Sequence, residues 1–297
     1  MKNNFLNGVQ LLFRKKIEPI FYARRLKKRL HSHGKKEISD LPSVELRLNP
    51  GNCCSNFCVD LTNSYGHNLQ NYMRSGVFSS NLNSRSLLLH AIDLGSYADY
   101  QIYLNELKKG SNFFFRQTRS SASKGYEISQ FLDGEFLSDI DDIFSSMKMR
   151  SFGPVAQAFF RNFSKSKEGP LREHESASMQ CCTHWEVLFG VFGTELSPRG
   201  SEGNSSKRLV CFARLHRIGN VISYKDLIGH GAHLKFGVTK LLHTEIVKWI
   251  LDSGDIRVQG IEYLVHGSLQ RGGEGFFFWK KKALFKPHLI SLINGPD

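Results

Sequence analysis

Several patterns that would identify a protein class are missing from this chain of 297 residues. No stretch approaches the roughly 18 apolar residues that a membrane-spanning helix needs, so an integral membrane protein is not expected. There is no G-x-S-x-G elbow, Walker A sequence or G-x-G-x-x-G fingerprint, which disfavours α/β-hydrolases, P-loop enzymes and dinucleotide-binding enzymes. The 26 glycines follow no three-residue period, which excludes collagen. The length and the 40% of hydrophobic residues instead predict a globular protein with one large domain or two small ones.

The six cysteines also lack the C-x-x-C spacing of a zinc ribbon. Because no secretory signal is evident, we expect reduced thiols and a cytoplasmic protein. One alternative is a metal site formed by Cys53, Cys54, Cys58 and His67, although the favoured interpretation requires no metal. Cys211 lies in an alternating pattern that is typical of a strand, so it is expected in the core.

Positive charge is concentrated at the N-terminus. The chain has a net charge of +13, and residues 1–36 hold eleven Lys or Arg and a single acid, Glu18. Apolar residues recur there at helical spacing, although Pro19 would break or kink a helix. We therefore divide the chain into a basic amphipathic segment, 1–44, and a main domain, 45–297, with its best-defined part at 185–293.

The basic segment allows several interpretations. Such a stretch can lie on an anionic membrane surface, which would make the protein peripheral there, or contact RNA phosphates. It can also be a solvated tail or a helix packed on the main domain. The composition fits a mitochondrial transit peptide as well. We expect residues 1–36 to make few contacts with the sheet.

The N-terminal half has few clear elements. Helices are predicted at 97–109, with Ser96 and Asp99 as a capping box, and at 139–149. Phe113–Phe115 and Tyr126–Leu132 are predicted as strands. Residues 40–85 show no clear period.

The C-terminal half is more regular and predicts the fold class. Three strands at 185–192, 209–218 and 221–228 form a meander, with Gly219-Asn220 as a hairpin turn. A helix at 234–252, a strand at 261–266, a helix at 270–284 and a strand at 287–293 follow. The order β-β-β-α-β-α-β predicts an α+β protein with a mixed sheet flanked by helices. Strands 221–228 and 261–266 should be adjacent and parallel, because one helix connects them.

This order resembles the GNAT acyltransferase superfamily, including its larger FemAB-like members. The stretch Ala283–Pro287 is similar to the late "-LGF-x-P" stretch of that family. The resemblance implies an N-acyltransferase in which an amine of a small molecule or peptide directly attacks an acyl-coenzyme A (acyl-CoA). In the phosphate-loop pattern [QR]-x-x-G-x-[GA], Gly237 matches, whereas Leu234 and Thr239 differ.

The corresponding turn and helix start form the candidate cofactor site. Free main-chain N–H groups and the positive helix end can bind phosphate there, glycines permit close approach, and basic side chains add donors. We expect this region to face an open cleft, although a water-capped helix is the alternative. The candidate residues are Gly229, His230, Gly231, His233, Lys235, Phe236, Gly237, Val238 and Thr239.

The proton-transferring group is less clear. Family enzymes often use a Tyr on the last helix, where this chain has Trp279 and Lys280. The nearest replacements are Tyr263 and His266, which lie three apart on a strand and should face opposite sides. The run Lys280–Lys282 beside Trp279 can bind nucleotides or form a solvated helix face.

Three functions fit these features. The first is N-acyl transfer from acyl-CoA, and the second keeps the fold but takes aminoacyl-tRNA as donor. The third is a non-catalytic peripheral protein that binds anionic lipid or RNA through residues 1–36.

Overall fold

A computed structural model describes residues 18–47, 86–147, 149–150, 153–154, 181–194, 207–268 and 273–293. Its strands are β1 Ser43–Arg47, β2 Ser86–Asp93, β3 Glu127–Phe131, β4 Met149–Arg150, β5 Gly153–Pro154, β6 His184–Thr194, β7 Lys207–Ile218, β8 Val221–Gly229, β9 Tyr263–Ser268 and β10 Lys286–Ile293. Its α-helices are α1 Glu18–Ser32, α2 Tyr100–Gly110, α3 Asn112–Ala122, α4 Leu137–Ser145, α5 Gly231–Leu234, α6 Val238–Asp252 and α7 Glu274–Lys282.

Eight of these strands form one mixed sheet in the order β1-β10-β2-β9-β8-β7-β6-β3. β6, β7 and β8 pair antiparallel, whereas β8 and β9 pair parallel. The predicted α+β class with a mixed sheet flanked by helices is therefore confirmed, as is the parallel pairing of the two strands joined by α6.

Helices cover both faces of the sheet. Adjacent residues of β6 enter different apolar clusters, because successive side chains on a strand point to opposite faces. Phe189 packs in the main cluster with α2, α3 and α6, whereas Leu188 packs with α4. Cys211 is fully buried in the main cluster, which confirms its predicted core position. The cysteine and histidine residues of the alternative metal site lie outside the described residues.

Arg217 fixes one end of the β8–β9 pair. Its buried guanidinium donates to the carbonyl of Gly219 at 2.9 Å, of Cys182 at 2.8 Å, and of Arg257 and Gln259 at 2.6 Å each. These acceptors lie in the β7–β8 turn, in the residues before β6 and in the segment that leads into β9. One side chain thus joins three segments where β8 and β9 begin.

The described part of the basic segment packs on the domain. Pro19 lies in the first turn of α1, where proline is tolerated because that N–H needs no helical partner. Leu30 is buried against Leu88 and Phe277, and β1 extends the sheet beside β10. The packing of α1 agrees with the alternative of a helix packed on the main domain, while the expectation of few contacts between residues 1–36 and the sheet, and the division at residue 44, stay predictions.

Three local predictions differ from the structure. Phe113–Phe115 belongs to helix α3 and not to a strand, because Ser111 caps this helix by accepting from the N–H of Phe114. Asp99, not Ser96, caps α2. The predicted helix at 234–252 is divided into α5 and α6 at Gly237, whose φ of 82° is left-handed.

Candidate active site

The two parallel strands separate near the middle of the sheet. Their last pair joins Ser223 of β8 to Val265 of β9. Beyond it, β8 continues beside β7, and β9 continues beside β2. We call the region between β8 and β9 beyond this pair the divergence. Its first residues are Tyr224 and His266, and the main chain of β8 beyond Ser223 has no partner on β9.

A β-bulge in β8 lies at the same place. Leu215 of β7 pairs with Tyr224 and Arg214 with Asp226, which leaves Lys225 as an extra residue. A bulge reorients the side chains that follow it. Tyr224 accordingly packs in the main core, whereas the carboxylate of Asp226 lies 3.5 Å from the Arg214 guanidinium on the other face. Tyr224 and Asp226 thus point to opposite faces of the sheet, whereas residues two apart in a regular strand point to the same face.

The core beside the divergence contains a hydrogen-bonded group of three buried side chains. The Tyr224 hydroxyl lies 2.9 Å from Nδ1 of His243, and the Tyr103 hydroxyl lies 3.0 Å from its Nε2. Tyr103 also donates to the carbonyl of Ala283 at 3.3 Å. Because the Tyr103 hydroxyl donates to Ala283, its oxygen accepts from Nε2 of His243. The ring proton of His243 is therefore assigned to Nε2, and Nδ1 accepts from the Tyr224 hydroxyl. Burial lowers the pKa of His243 to about 3, which keeps the ring neutral.

His266 is buried at the divergence among aromatic rings. Its ring centre lies 4.8 Å from that of Tyr224, 4.9 Å from Phe276 and 5.7 Å from Trp279. Burial, together with the nearby Lys280 and His243, lowers its pKa well below the usual value. Its buried Nε2 has no hydrogen-bond partner within the described ranges of the chain. A neutral imidazole with an unused nitrogen therefore lies where the strands part.

Tyr263, the other candidate for proton transfer, lies elsewhere. It pairs with Val221 at the start of β9, where the two strands are still joined. Its ring lies 6.3 Å from that of His288. The structure therefore brings His266 to the divergence and leaves Tyr263 at the closed end, although a catalytic role for either stays a prediction.

Lys280 is not part of a solvated helix face. It is buried, with Nζ 3.5 Å from Nδ1 of His90 and 4.3 Å from the ring centre of Phe276. Burial, followed by the charge of Arg29, lowers its pKa well below that of a free lysine. Lys281 and Lys282 follow it at the C-terminal end of α7.

The first half of the candidate cofactor turn packs on neighbouring elements. The N–H of Gly231 donates to the hydroxyl of Ser146 at 2.9 Å, and Nε2 of His230 lies 3.2 Å from the carboxylate of Asp142. A Cβ on Gly229 would approach Leu234 to 2.9 Å. His233 bonds the hydroxyl of Tyr126 at 2.8 Å. The side chains of His230 and His233 therefore already have protein partners.

The start of α6 is covered by α3. Gly237 and Val238 are buried, and a Cβ on Gly237 would lie 3.0 Å from Oγ of Ser121 and 3.3 Å from Gln117. The carbonyl of Phe236 accepts from Ser121. Lys235 is exposed, whereas Thr239 is partly buried. The expectation of an open cleft is therefore wrong at Gly237, where α3 packs against the turn. Binding of a phosphate by residues 229–239 stays a prediction.

Sequence reasoning did not find Tyr224 and His243. Both are apolar-face positions of a strand and a helix, and neither stands in a motif. The one sequence signal for this region was the predicted parallel pairing of β8 with β9. Where two such strands part, the residues that follow have no partner on the other strand.

Two features are absent from the described residues. No group of three or more His, Cys, Asp or Glu is placed to hold a metal ion within these residues. None of their helices is long and apolar enough to cross a membrane.

Comparison with known proteins gives distant structural likenesses. No protein-family model and no curated protein match the chain. A crystal structure of FemX is similar, with a TM-score of 0.47, 11% identity, and coverage of 85% of this chain and 80% of that one. So is the C-terminal domain (DUF2156) of a putative lysylphosphatidylglycerol synthetase from Agrobacterium fabrum, with a TM-score of 0.39, 12% identity, and coverage of 69% and 59%. Both TM-scores lie below 0.5, so they assign no substrate or activity to this chain.

Proposed function

We propose that the chain is a GNAT-like transferase that moves an aminoacyl group from a tRNA ester to an amine. The observation that carries this proposal is the divergence of two parallel strands, with a bulge on one strand and a buried neutral histidine on the other. The acyltransferase interpretation expects an oxyanion donor among the main-chain N–H groups of strand 221–228, and β8 has no partner on β9 beyond Ser223.

The chemistry needs few groups. The amine nitrogen attacks the ester carbonyl, a C–N bond forms, and the bond to the ribose oxygen breaks. The main-chain N–H groups of β8 beyond Ser223, which have no partner on β9, can stabilise the oxyanion. His266 accepts the proton that the amine loses and passes it to the ribose oxygen, which leaves as a hydroxyl group. Tyr224 is a positioning residue, because its ring packs on His266 while its hydroxyl is fixed by His243.

We favour aminoacyl-tRNA over acyl-CoA because of the start of α6. The resemblance assigns the pyrophosphate of the cofactor to this helix end, which α3 covers at Gly237. A tRNA ester needs no pyrophosphate site there. Acyl-CoA stays the alternative donor, and residues 229–239, above all Lys235, stay its candidate site.

The test supplies the chain with either a labelled aminoacyl-tRNA mixture or labelled acetyl-CoA, together with small amines and a lysine-containing peptide. An amide product keeps its label in mild alkali, whereas the ester and thioester donors lose theirs. Alkali-stable label from tRNA alone, absent with His266→Gln, supports the proposal. Alkali-stable label from acetyl-CoA alone would refute aminoacyl-tRNA as the donor. No label from either donor refutes the enzymatic reading and favours a non-catalytic peripheral protein that binds RNA or anionic lipid.

A further inference from the structure

Three segments that belong to or adjoin α3, α6 and α7 are rich in Lys and Arg. Segments 107–126, 229–244 and 275–286 contain eleven Lys or Arg and no Asp or Glu. The structure brings the three segments together, since Nζ of Lys240 in α6 and Nζ of Lys282 in α7 both lie close to the Phe113 ring of α3, at 5.9 Å and 5.3 Å from its centre. We call this the basic–aromatic surface.

Aromatic rings alternate with cations across this surface. Phe113 is 51% exposed although it lies in a helix, and the ammonium groups of Lys240 and Lys282 lie within 6 Å of its ring centre. Phe115 and Phe236 are each only partly buried. Further cations lie near these two rings: Lys108 at 5.9 Å and Arg119 at 6.0 Å from Phe115, and Lys124 at 5.0 Å and Lys235 at 4.9 Å from Phe236.

Most of these cations have no carboxylate partner among the described residues. Of the exposed lysines and arginines in the three segments, Lys109 alone pairs with a carboxylate, that of Glu106, within the described part of the chain. Burial and the nearby Lys282 lower the pKa of Lys240. An anion between Lys240 and Lys282 would relieve this repulsion, so the charge pattern of the surface is complementary to a polyanion.

We propose that the basic–aromatic surface binds the single-stranded end of the RNA that carries the donor ester. This inference rests on the proposed function for the identity of the RNA. Bases stack on Phe113 and on the neighbouring rings, while the lysines neutralise the phosphates between them, as in sequence-tolerant single-strand sites. The interaction is thereby assigned to α3, α6 and α7 and not to residues 1–36.

RNA fits this surface better than a membrane does. A membrane-binding helix has a continuous apolar face that inserts between acyl chains. Here two ammonium groups lie within 6 Å of the exposed ring of Phe113, and they would have to be desolvated together with it. Flat rings spaced by cations instead match alternating bases and phosphates.

The test measures binding of unacylated tRNA to the full chain by fluorescence anisotropy at several salt concentrations. Phe113→Ala keeps the charge and should weaken binding about fivefold or more, because one stacked base is lost. The double variant Lys240→Gln/Lys282→Gln should lower the slope of log K against log salt by about 1.4, since each single-strand phosphate contact contributes about 0.7. Lys207→Gln/Lys248→Gln removes the same charge outside the surface and should bind nearly as the parent does.

Unacylated tRNA cannot donate an aminoacyl group, so this binding is measured independently of transfer. Parent-like binding by both surface variants would overturn the inference, even if transfer from tRNA is observed. Loss of binding only on removal of residues 1–36 would overturn it as well. So would binding of the parent to vesicles of phosphatidylglycerol and phosphatidylcholine, but not to tRNA, with Phe113→Ala weakening the vesicle binding.

Discussion

The same substitution at the two buried histidines near the divergence should have different effects. His243→Leu should lower the stability more, and His266→Leu should lower the transfer rate more. Leucine is close to histidine in volume, so His243→Leu and His266→Leu both leave the core nearly filled. In His243→Leu, the hydroxyls of Tyr224 and Tyr103 lose their bonds to the ring. A buried polar group without a partner costs about 1–3 kcal/mol, so we expect the free energy of unfolding to fall by about 2 kcal/mol or more.

His266→Leu removes a ring whose Nε2 has no hydrogen-bond partner within the described ranges. The free energy of unfolding should then fall only by the contribution of the lost ring contacts, about 0.5–1.5 kcal/mol. Transfer should nevertheless fall by about 10²–10⁴-fold, the usual contribution of a proton-transferring side chain. His266→Leu should therefore be the more stable and the less active of the two variants.

Urea denaturation gives the two stabilities, and the alkali-stable product assay gives the two rates. Equal destabilisation by both substitutions would refute the claim that the His266 ring makes no hydrogen bond needed for folding. A stable His266→Leu variant with the parental rate would refute its role as proton acceptor. The two measurements thus separate the structural argument from the catalytic one.

Three further predictions concern pH, the turn before α6 and the bulge. The pKa of His243 is lowered from 6.5 to about 3 in the folded protein, so as the pH falls this histidine takes up a proton in the unfolded chain before it does so in the folded one. The free energy of unfolding should therefore drop between pH 6.5 and 3 by up to about 1.4 kcal/mol per pH unit. Urea denaturation at several pH values should show a shallower drop for His243→Leu. Gly237→Ala should lower the melting temperature more than Gly125→Ala, because both glycines have positive φ but only Gly237 has atoms within 4 Å of the added Cβ; equal losses would show that α3 does not cover this turn. Deletion of Lys225 should remove the bulge but leave Asp226 on its present face, because Asp226 then follows Tyr224 directly and keeps its pairing with Arg214. We expect the straightened β8 to lower the transfer rate in the alkali-stable product assay, whereas Lys225→Ala, which keeps the bulge, should transfer as the parent does.

The sequence predicted the part of the fold that depends on local periodicity. The alternation at 209–218, the Gly219-Asn220 turn and the helical spacing after Leu234 are all local, and they led to the parallel pair of β8 and β9. Phe113–Phe115 misled because three aromatic residues in a row favour a strand. The Ser111 cap and the packing of Phe114 in the main core favour a helix there instead.

The candidate site was harder to predict, because its residues meet only in the folded chain. Tyr103 and His243 are 140 residues apart, and nothing in either neighbourhood indicates a hydrogen bond between their side chains. The bulge at Lys225 likewise depends on the register of β7 against β8. The covering of Gly237 by α3 was missed for a related reason, since the segment that forms α3 was partly assigned to a strand.

Arg217 has a mechanical consequence for the divergence. Its four carbonyl acceptors tie together the segments at which β8 and β9 begin, so this end of the strand pair acts as a fixed pivot. Any relative movement of the two strands is then a rotation whose amplitude grows with distance from the pivot. The movement is smallest at Tyr263 and larger from Tyr224 and His266 onwards. We therefore expect the width of the divergence to vary more than that of the paired end of the two strands.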